Sequence, residues 1–449
     1  MPRVSPFLFV PLVAALGAVA SFVVLARIPL RYNIRNLLVR WRTTALTGLA
    51  FTLVTALLTV MMSFVNGMYQ LTENSGQPRN VIILSEGVTE ETFSNLAFSD
   101  ASDIRNQPGI ARDGGQPLCS GETYVVVNQP MANAVAGRPA RRFLQLRGVE
   151  DPERARRVHN IRLHPGGRWF SQAGVEEISA GAGGGPPAIQ AVLGEGIARV
   201  LAADRSSQER EAARVGDRLK AGDTFTLADR RWLVVGVMQS SGSTFDSEIW
   251  AKRSILGPLF GKENYTSFVI QAEDEAAAIR LKQFFNTQYR KGAVQALLEK
   301  EYFASLSQTN RQFLVAVIFV SAVMGVGGIF GVMNTMFAAV SQRTRDIGVL
   351  RLLGYARWQI LASFLLESLL IALAGGLIGC AIGSLADGWT ASSIVGAGHG
   401  GGSKFVVLRL AVDADTRALG CLLALAMGAA GGLLPALSAV RLRPLDALR

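Results

Sequence analysis

The sequence predicts a membrane protein with an α-helical transmembrane bundle and a large α+β extracytoplasmic domain inserted between the first and second core spans. Three observations predict this fold class. The 449 residues are 49% hydrophobic and only 18% charged, with a mean hydropathy of +0.29, which is too apolar for an ordinary soluble protein. Several long segments lack Asp, Glu, Lys and Arg altogether. The surplus positive charge is concentrated in short segments beside them.

The uncharged segments predict the membrane spans, because a bilayer helix needs about 20 consecutive apolar residues. They predict core spans 1 to 4 over residues 43–66, 311–340, 359–386 and 417–440. We expect residues 1–26 to form an extra N-terminal span. Arg3 ahead of this apolar run is also typical of an export signal that is removed. A removed signal would leave the arginines that follow on the exported side, which disagrees with the topology below.

The distribution of charge predicts the topology. The formal net charge is +11, and residues 27–42, 341–358 and 441–449 together carry ten of these surplus charges. Short basic segments beside spans stay in the cytoplasm. We therefore expect these three segments to face inward, and residues 67–310 and 387–416 to lie outside. No strongly basic surface remains for nucleic acid, so we expect no nucleic-acid partner.

The outer insert, residues 67–310, is long enough for one or two compact domains. Short runs rich in β-branched residues predict strands at 81–84, 124–128, 143–149, 224–238 and 267–272. Helical periodicity predicts helices over 188–205 and 275–303, the second continuing as a stiff stalk toward span 2. Cys119 is the only cysteine of the insert, so no disulfide framework is expected there.

The loop between core spans 2 and 3 has an unusual composition. Its sequence SQRTRDIGVLRLLG, residues 341–354, mixes arginines with apolar residues directly between two apolar spans. Ile347, Leu350 and Leu353 recur at three-residue spacing and predict one apolar stripe of a short helix. Gly354 is placed to end that helix. From the residues alone, such an amphipathic helix lies either in the lipid headgroups or against a protein partner.

Two stretches of the chain resemble a known family. They are residues 333–379, MNTMFAAVSQRTRDIGVLRLLGYARWQILASFLLESLLIALAGGLIG, and residues 432–449, GLLPALSAVRLRPLDALR. Both closely resemble the permease subunits of MacB/FtsX-like (type VII, mechanotransmission) ABC transporters. Residues 31–47 and 191–237 resemble this family more weakly. The extra N-terminal span and the patchy match of the outer insert depart from the family's usual pattern.

The resemblance implies a role for the loop between spans 2 and 3. In that family this loop is the coupling helix, which docks into a groove of a separate cytoplasmic ATPase. We therefore expect the apolar stripe to fill the groove while the arginines meet acidic groups around it. The expected coupling residues are Arg343, Arg345, Asp346, Ile347, Leu350, Arg351, Leu353 and Gly354. The resemblance also implies a multi-pass protein of the bacterial inner (plasma) membrane.

Small and polar residues inside the spans suggest helix contacts. The glycines expected to pack against helices are Gly327, Gly331, Gly375, Gly379, Gly383, Gly428 and Gly432. Their spacing lets backbones approach closely, either within one chain or between the two chains of a dimer. Glu367 is the sole acid well inside a span, and Asn334 lies at similar depth on the preceding span. We hypothesise that these two side chains form a hydrogen bond that fixes how the loop is presented. The alternative is that Glu367 is protonated or reaches toward the cytoplasmic interface.

Catalytic motifs are absent from the sequence. It contains no G-x-x-x-x-G-K-[ST] motif, so we expect a non-catalytic subunit that binds no cofactor and meets ATP and Mg only through a partner ATPase. His159, His164 and His399 lack neighbouring ligand residues, so no metal site is expected.

Two classes of function follow from these expectations. The first is a permease that couples ATP hydrolysis to the export or extraction of a drug, peptide, lipid or lipoprotein. The second is a signal transmitter that transports nothing and activates an outer partner such as a cell-wall hydrolase. The expected partners are the cytoplasmic ATPase, a second permease chain (identical or different), a periplasmic membrane-fusion adaptor and the bilayer. The length of the outer insert favours the first class.

Overall fold

The computed structural model describes most of the chain. The described residues are 10–14, 17, 21, 35, 37–130, 141–177, 187–205, 218–240, 242–306, 308–396 and 403–441. Most of the expected N-terminal span (1–26), most of the basic segment 27–42, almost all of the tail 441–449 and His399 lie outside them. The chain divides into two compact units. The helical bundle comprises Met1–Gly67, Gln312–Trp389 and Arg409–Arg449, and the sheet domain comprises Met68–Arg311 and Thr390–Leu408.

The described residues contain the following elements. The helices are α1 Trp41–Ser75, α2 Phe98–Arg105, α3 Pro152–Val158, α4 Glu195–Ala203, α5 Arg253–Leu259, α6 Glu275–Thr287, α7 Glu299–Leu306, α8 Gln308–Gln342, α9 Thr344–Leu352, α10 Arg357–Ser384 and α11 Ala414–Arg441. The strands are β1 Asn80–Ser85, β2 Arg112–Asp113, β3 Gln116–Pro117, β4 Cys119–Pro130, β5 Arg141–Val149, β6 Val175–Glu176, β7 Ala188–Leu193, β8 Thr224–Leu227, β9 Arg230–Val237, β10 Glu248–Lys252, β11 Ser267–Gln271, β12 Val294–Leu298, β13 Thr390–Gly396 and β14 Ser403–Arg409. Short 3₁₀ turns cover Glu91–Phe93 and Thr244–Ser247.

The helical bundle is built from four long apolar helices. Among the described residues, α1, α8, α10 and α11 are long and apolar enough to cross a membrane. The prediction of four core spans is therefore confirmed. Their buried side chains form one cluster that includes Phe51 of α1, Met336 of α8, Phe364 of α10 and Ala424 of α11. The short helix α9 connects α8 to α10.

The sheet domain is organised around one large mixed sheet. Its strand order is β12-β1-β11-β4-β5-β10-β7-β9-β8, with β6 paired to β7. The β5/β10 and β7/β9 pairs are parallel, and the other pairs are antiparallel. Two separate hydrophobic clusters pack on this sheet, one around Phe268 and Phe285 and the other around Leu146 and Trp232. The predicted α+β class is thus confirmed.

A hairpin from the second long connection also belongs to the sheet domain. Strands β13 and β14 pair with each other within residues 387–416, which we expected to be a loop. The backbone nitrogen of Val407 donates to the Ser247 hydroxyl at 2.7 Å. The hairpin therefore extends the sheet domain with a segment that lies far from it in sequence.

The predicted strands are found, but one of them is two strands. The run 224–238 divides into β8 and β9 at Ala228 and Asp229, whose φ angles are 50° and 57°. Two central residues with positive φ are the requirement of a type I′ turn, whose twist matches that of a β-hairpin. The apolar run therefore folds back on itself instead of continuing.

Both predicted helices of the insert are partly wrong. Residues 188–205 form strand β7 and helix α4, separated by Gly194. Residues 275–303 form α6, strand β12 and α7, so the expected continuous stalk is interrupted. Strand β12 pairs with β1, and the Asn286 side chain exchanges two hydrogen bonds of 2.8 and 2.9 Å with the backbone of Ala296. These long-range hydrogen bonds outweigh the local helical periodicity.

Candidate coupling site

Helix α9 has well-defined ends. Arg343 is its N-cap residue, and Leu353 is its C-cap residue. Gly354 follows with φ of +93°, a conformation that favours glycine. The Gly354 and Tyr355 amides donate to the carbonyls of Arg351 and Leu350, at 3.2 and 3.1 Å. These two bonds form a Schellman motif, so Gly354 ends the helix in the position that its sequence predicts.

One side of α9 is buried in the helical bundle. Ile347 is 2% exposed and belongs to the same buried cluster as Ile360 and Phe364 of α10. Gly348 is also buried, and Leu350 is partly buried. The prediction that Ile347 lies on a stripe presented to a partner is therefore wrong. A three-residue spacing identifies one side of a helix but does not say whether that side faces a partner or the protein's own core.

The opposite side of α9 and the residues after it are exposed. Val349, Leu352 and Leu353 are 46%, 63% and 72% exposed, and Trp358 near the start of α10 is 50% exposed. We call these four side chains the α9 patch. The expected coupling residues Arg345, Asp346 and Gly354 are exposed beside it, and Arg351 is half-buried. The exposed apolar surface of this loop is therefore made of other residues than the predicted stripe. Leu353 belongs to both.

Arg343 and Glu367 form a buried ion pair. The guanidinium Nη1 lies 2.8 Å from Oε2 of the carboxylate, and Nη2 lies 3.5 Å from Oε1. Both side chains are 5% exposed. Asn334, the expected partner of Glu367, is exposed instead. The predicted Asn334–Glu367 hydrogen bond is therefore wrong, and Arg343 is turned into the bundle instead of toward a partner.

Most of the expected packing glycines contact helices of the same chain. A Cβ atom added to Gly375, Gly379 or Gly383 of α10 would lie 2.6–2.7 Å from atoms of α1. A Cβ atom added to Gly428 of α11 would lie equally close to Ala372 of α10. One added to Gly432 would lie closer still to Ser368 of α10. Gly327 and Gly331 of α8 differ, because an added Cβ would meet nothing within 4 Å. The α10 and α11 glycines thus serve packing within one chain.

Two family matches cover most of the chain. Residues 44–284 match the family described as MacB-like periplasmic core domain, which is more than half of the sequence. Residues 318–444 match the family described as FtsX-like permease C-terminal. The chain belongs to the MacB/FtsX-like family of ABC permeases. It is a membrane protein whose sheet domain is extracytoplasmic.

Individual relatives of this permease are similar at modest identity. The macrolide export ATP-binding/permease protein MacB of Nitrobacter winogradskyi is 28% identical over 51% of this chain and 35% of that protein. A MacB of Shewanella is 25% identical over 79% of this chain and 49% of that protein. An uncharacterized ABC transporter permease of Methanocaldococcus jannaschii is 27% identical over 51% of this chain and 58% of that protein. The chain spans about half the length of the curated relatives it matches.

One solved structure resembles this permease only loosely. It is the periplasmic region of MacB from Actinobacillus actinomycetemcomitans, which covers 52% of this chain and 95% of its own. The TM-score is 0.32 and the sequence identity is 14%.

The sheet domain of this permease also contains a buried charge cluster. The Arg147 guanidinium on β5 contacts three carboxylates, and all four side chains are at most 1% exposed. Those carboxylates belong to Glu91, Glu122 and Glu248. The contacts to Glu91 and Glu248 are both 2.7 Å. Burial of so many charges is tolerated because each is paired and hydrogen-bonded.

His159 extends this cluster. Its Nε2 lies 2.6 Å from Glu122 Oε1, and its Nδ1 lies 3.3 Å from Glu299 Oε1. Burial alone would lower the pKa of His159, but the carboxylates of Glu122 and Glu299 outweigh burial and raise its pKa to about 10. The pKa of Glu122 is lowered, since His159 and Arg147 outweigh the opposing effect of burial. His159 is therefore a protonated structural cation. We call these three residues, together with Glu91, Arg147 and Glu248, the Arg147 cluster.

Sequence reasoning missed both the α9 patch and the Arg147 cluster. For the cluster, a usable sign is one arginine inside the mostly apolar strand FLQLRGV, residues 143–149. A charged side chain on a strand buried on both faces needs partners from neighbouring strands. For the α9 patch, the usable sign is the aromatic residue Trp358, which follows the loop SQRTRDIGVLRLLG. Neither sign identifies the partners, because these come from distant segments.

Proposed function

We propose that this permease is the membrane subunit of an ABC transporter whose separate cytoplasmic ATPase docks on the α9 patch. ATP hydrolysis by that ATPase would move the sheet domain and so export or extract a substrate. ATP and Mg would be bound by the ATPase and not by this chain. The permease would act in the bacterial inner membrane, with a periplasmic membrane-fusion adaptor as a further partner.

The observation that carries this proposal is the exposed apolar side of α9. Three large aliphatic side chains, Val349, Leu352 and Leu353, point away from the bundle on a loop rich in arginine. Clustered exposed apolar side chains rimmed by polar residues favour a protein or membrane interaction site. The exposed Arg345 and Asp346 supply the polar rim that gives a protein interface its register.

The test replaces the centre of the patch. We expect Leu352→Asp/Leu353→Asp to lower the affinity for the proposed partner ATPase by at least about tenfold, since central apolar anchors dominate interface energies. Stimulation of ATP hydrolysis by the permease in nanodiscs should fall in parallel. The matched control is Ile279→Asp, which changes a 48% exposed aliphatic residue of α6 in the sheet domain and should leave both quantities unchanged.

The same experiment separates protein docking from lipid binding. Leu353→Trp keeps a side chain that suits the headgroup layer but changes its shape. If the patch only lies on lipid, this variant retains full ATPase affinity. If the patch fills a groove, affinity falls. Unchanged affinity and stimulation in the double Asp variant would show that the ATPase docks elsewhere.

We propose that a second permease chain packs on α8. In the membrane-spanning window of α8 only 17% of residues are buried, compared with 56% for α10 and α11. Phe319 and Phe330 are 68% and 60% exposed, and Gly327 and Gly331 have open space beside them. Glycines four residues apart allow close approach of a second helix. A second copy, a different permease and lipid are the candidate occupants, and we favour a second copy.

Disulfide crosslinking tests this arrangement. Gly331→Cys should form a crosslinked dimer in native membranes after mild oxidation. The control, Ile378→Cys, places the thiol on an exposed position of α10, where Ile378 is 54% exposed, and should not crosslink. Equal crosslinking at both positions, or at neither, would contradict a specific α8 interface.

The signal-transmitter alternative uses the same coupling site. It differs in what the sheet domain does, since no substrate would cross or leave the membrane. The size of the sheet domain, which includes Met68–Arg311, favours the exporter function over a small transmitting loop. A permease–ATPase pair that hydrolyses ATP in vesicles and releases none of the offered drugs, peptides, lipids or lipoproteins would favour the alternative.

A further inference from the structure

Arg343 is the residue at which three helices of the bundle meet. Its amide donates to the Val340 carbonyl near the end of α8 at 3.0 Å, and its carbonyl accepts from the Ile347 amide of α9 at 2.9 Å. Its side chain pairs with Glu367 in the interior of α10. A single residue therefore joins the end of α8, the start of α9 and the next span.

The ion pair between Arg343 and Glu367 is buried, so its position is well defined. Both side chains are 5% exposed, and the guanidinium carbon lies 5.9 Å from the centroid of the Phe364 ring. Separating a buried ion pair leaves its charges poorly compensated, which is strongly unfavourable. The first turn of α9 therefore cannot leave α10 without a large free-energy cost.

A second contact lies one helical turn further along. Ile347 is four residues after Arg343, so it is on the same side of α9, and it is 2% exposed in the cluster that contains Phe364. Two contacts on one side fix both the position of α9 and its rotation about its own axis. Leu352 and Leu353, on the other side, remain exposed.

We propose that Arg343 and Glu367 are positioning residues for coupling. Their ion pair fastens α9 to α10, so that force applied to the α9 patch moves α10 instead of rotating α9 in place. The anchor and the docking surface lie on opposite sides of the helix, so each can be altered without the other. This inference rests on the proposed function, because it assumes that an ATPase binds the patch.

The first measurement needs no ATPase. In the full chain in nanodiscs, Glu367→Gln should speed hydrogen exchange of the α9 amides by about tenfold or more, because local opening becomes easier. The double variant Arg343→Glu/Glu367→Arg restores the opposite charges and should return exchange toward the wild-type rate. Ser341→Ala, at an exposed position in the last turn of α8, is the matched control and should leave exchange unchanged.

The second measurement adds the proposed partner ATPase. We expect Glu367→Gln to keep ATPase affinity within about threefold of wild type, since the patch is intact, while stimulated hydrolysis falls by about tenfold. The double variant should recover most of the stimulation. A purely structural role would lower affinity, thermal stability and stimulation together.

The two measurements test the anchoring role and the coupling role of the ion pair separately. Unchanged exchange in Glu367→Gln overturns the anchoring role, and unchanged stimulation overturns the coupling role. Loss of affinity equal to the loss of stimulation would assign the pair to the docking surface and overturn its positioning role. If the wild-type permease fails to bind the ATPase, the proposed function fails, while the exchange measurement still tests the anchor.

Discussion

Arg147 of the sheet domain contacts three buried carboxylates, whereas Arg343 of the helical bundle has one buried carboxylate partner, Glu367. Many partners make the first arrangement hard to rearrange, because every member depends on the others for compensation of its charge. A single pair can be loosened or exchanged by changing two residues. A network of charges suits a rigid domain, whereas a single pair suits a joint between two helices whose contact can be altered.

The two units also differ in how their elements are held together. Strands of the sheet domain are joined by backbone ladders and by the Arg147 cluster, while α1, α10 and α11 of the bundle approach each other closely at glycines. Inside a bilayer, close backbone packing replaces much of the hydrophobic driving force. Removing charge should therefore damage the sheet domain most, and adding volume should damage the bundle most.

The largest effect is expected from Arg147→Met. It leaves three buried carboxylates without their common cation, and breaking a buried ion pair typically costs about 3–5 kcal/mol. We expect thermal unfolding of the purified chain, followed by tryptophan fluorescence, to shift strongly to lower temperature. Arg156→Met, which removes the exposed pair with Glu153, is the control and should cost about 0–1 kcal/mol. Similar melting curves for both variants would contradict a stabilising role for the cluster.

Gly379→Val should have the next largest effect. The added Cβ would lie 2.6 Å from the Thr52 carbonyl oxygen of α1, and a backbone atom there cannot move aside. Overpacking of this kind typically costs about 1–3 kcal/mol. Gly327→Val, where an added Cβ meets nothing within 4 Å, should leave the stability of the single chain unchanged. Equal destabilisation by both changes would show that the two glycines are not packed differently.

A third expected effect is a pH dependence caused by His159. Its pKa is raised to about 10 in the folded protein, above an unfolded value of about 6.5. Its contribution to stability is therefore complete below about pH 6.5 and is lost as the pH rises through about 10. We expect the melting temperature of the chain to fall between pH 7 and pH 10. A flat or rising melting temperature in this range would show that His159 is not a buried cation.

Much of the fold followed from local sequence patterns. Four apolar segments predicted four membrane helices, and alternating or β-branched runs predicted most of the sheet. Strands β7 and β12 were mistaken for helix, because their residues, AIQAVL and VQALL, include good helix formers. Hydrogen bonds to distant strands decided their conformation, and those partners cannot be deduced from a single segment.

The site was predicted less well than the fold. The end of α9 at Gly354 was correct because the signal is local: a glycine accepts the left-handed conformation that a Schellman motif needs. The partner of Glu367 was wrong because counting residues along a span estimates depth only. Asn334 and Arg343 differ in the direction in which their side chains leave the helix axis, and that direction decides which of them meets α10.

The sequence by itself determined which segments form the four long apolar helices, which segment forms the loop helix and where that helix stops. These properties depend on apolar length, charge and glycine at particular positions, all of which act over a few residues. Only the tertiary structure decided which side of α9 is exposed, which glycines pack against another helix and which charges are paired. Those outcomes depend on the rotation of each helix about its axis and on contacts between residues far apart in the chain, which emerge when the helices pack.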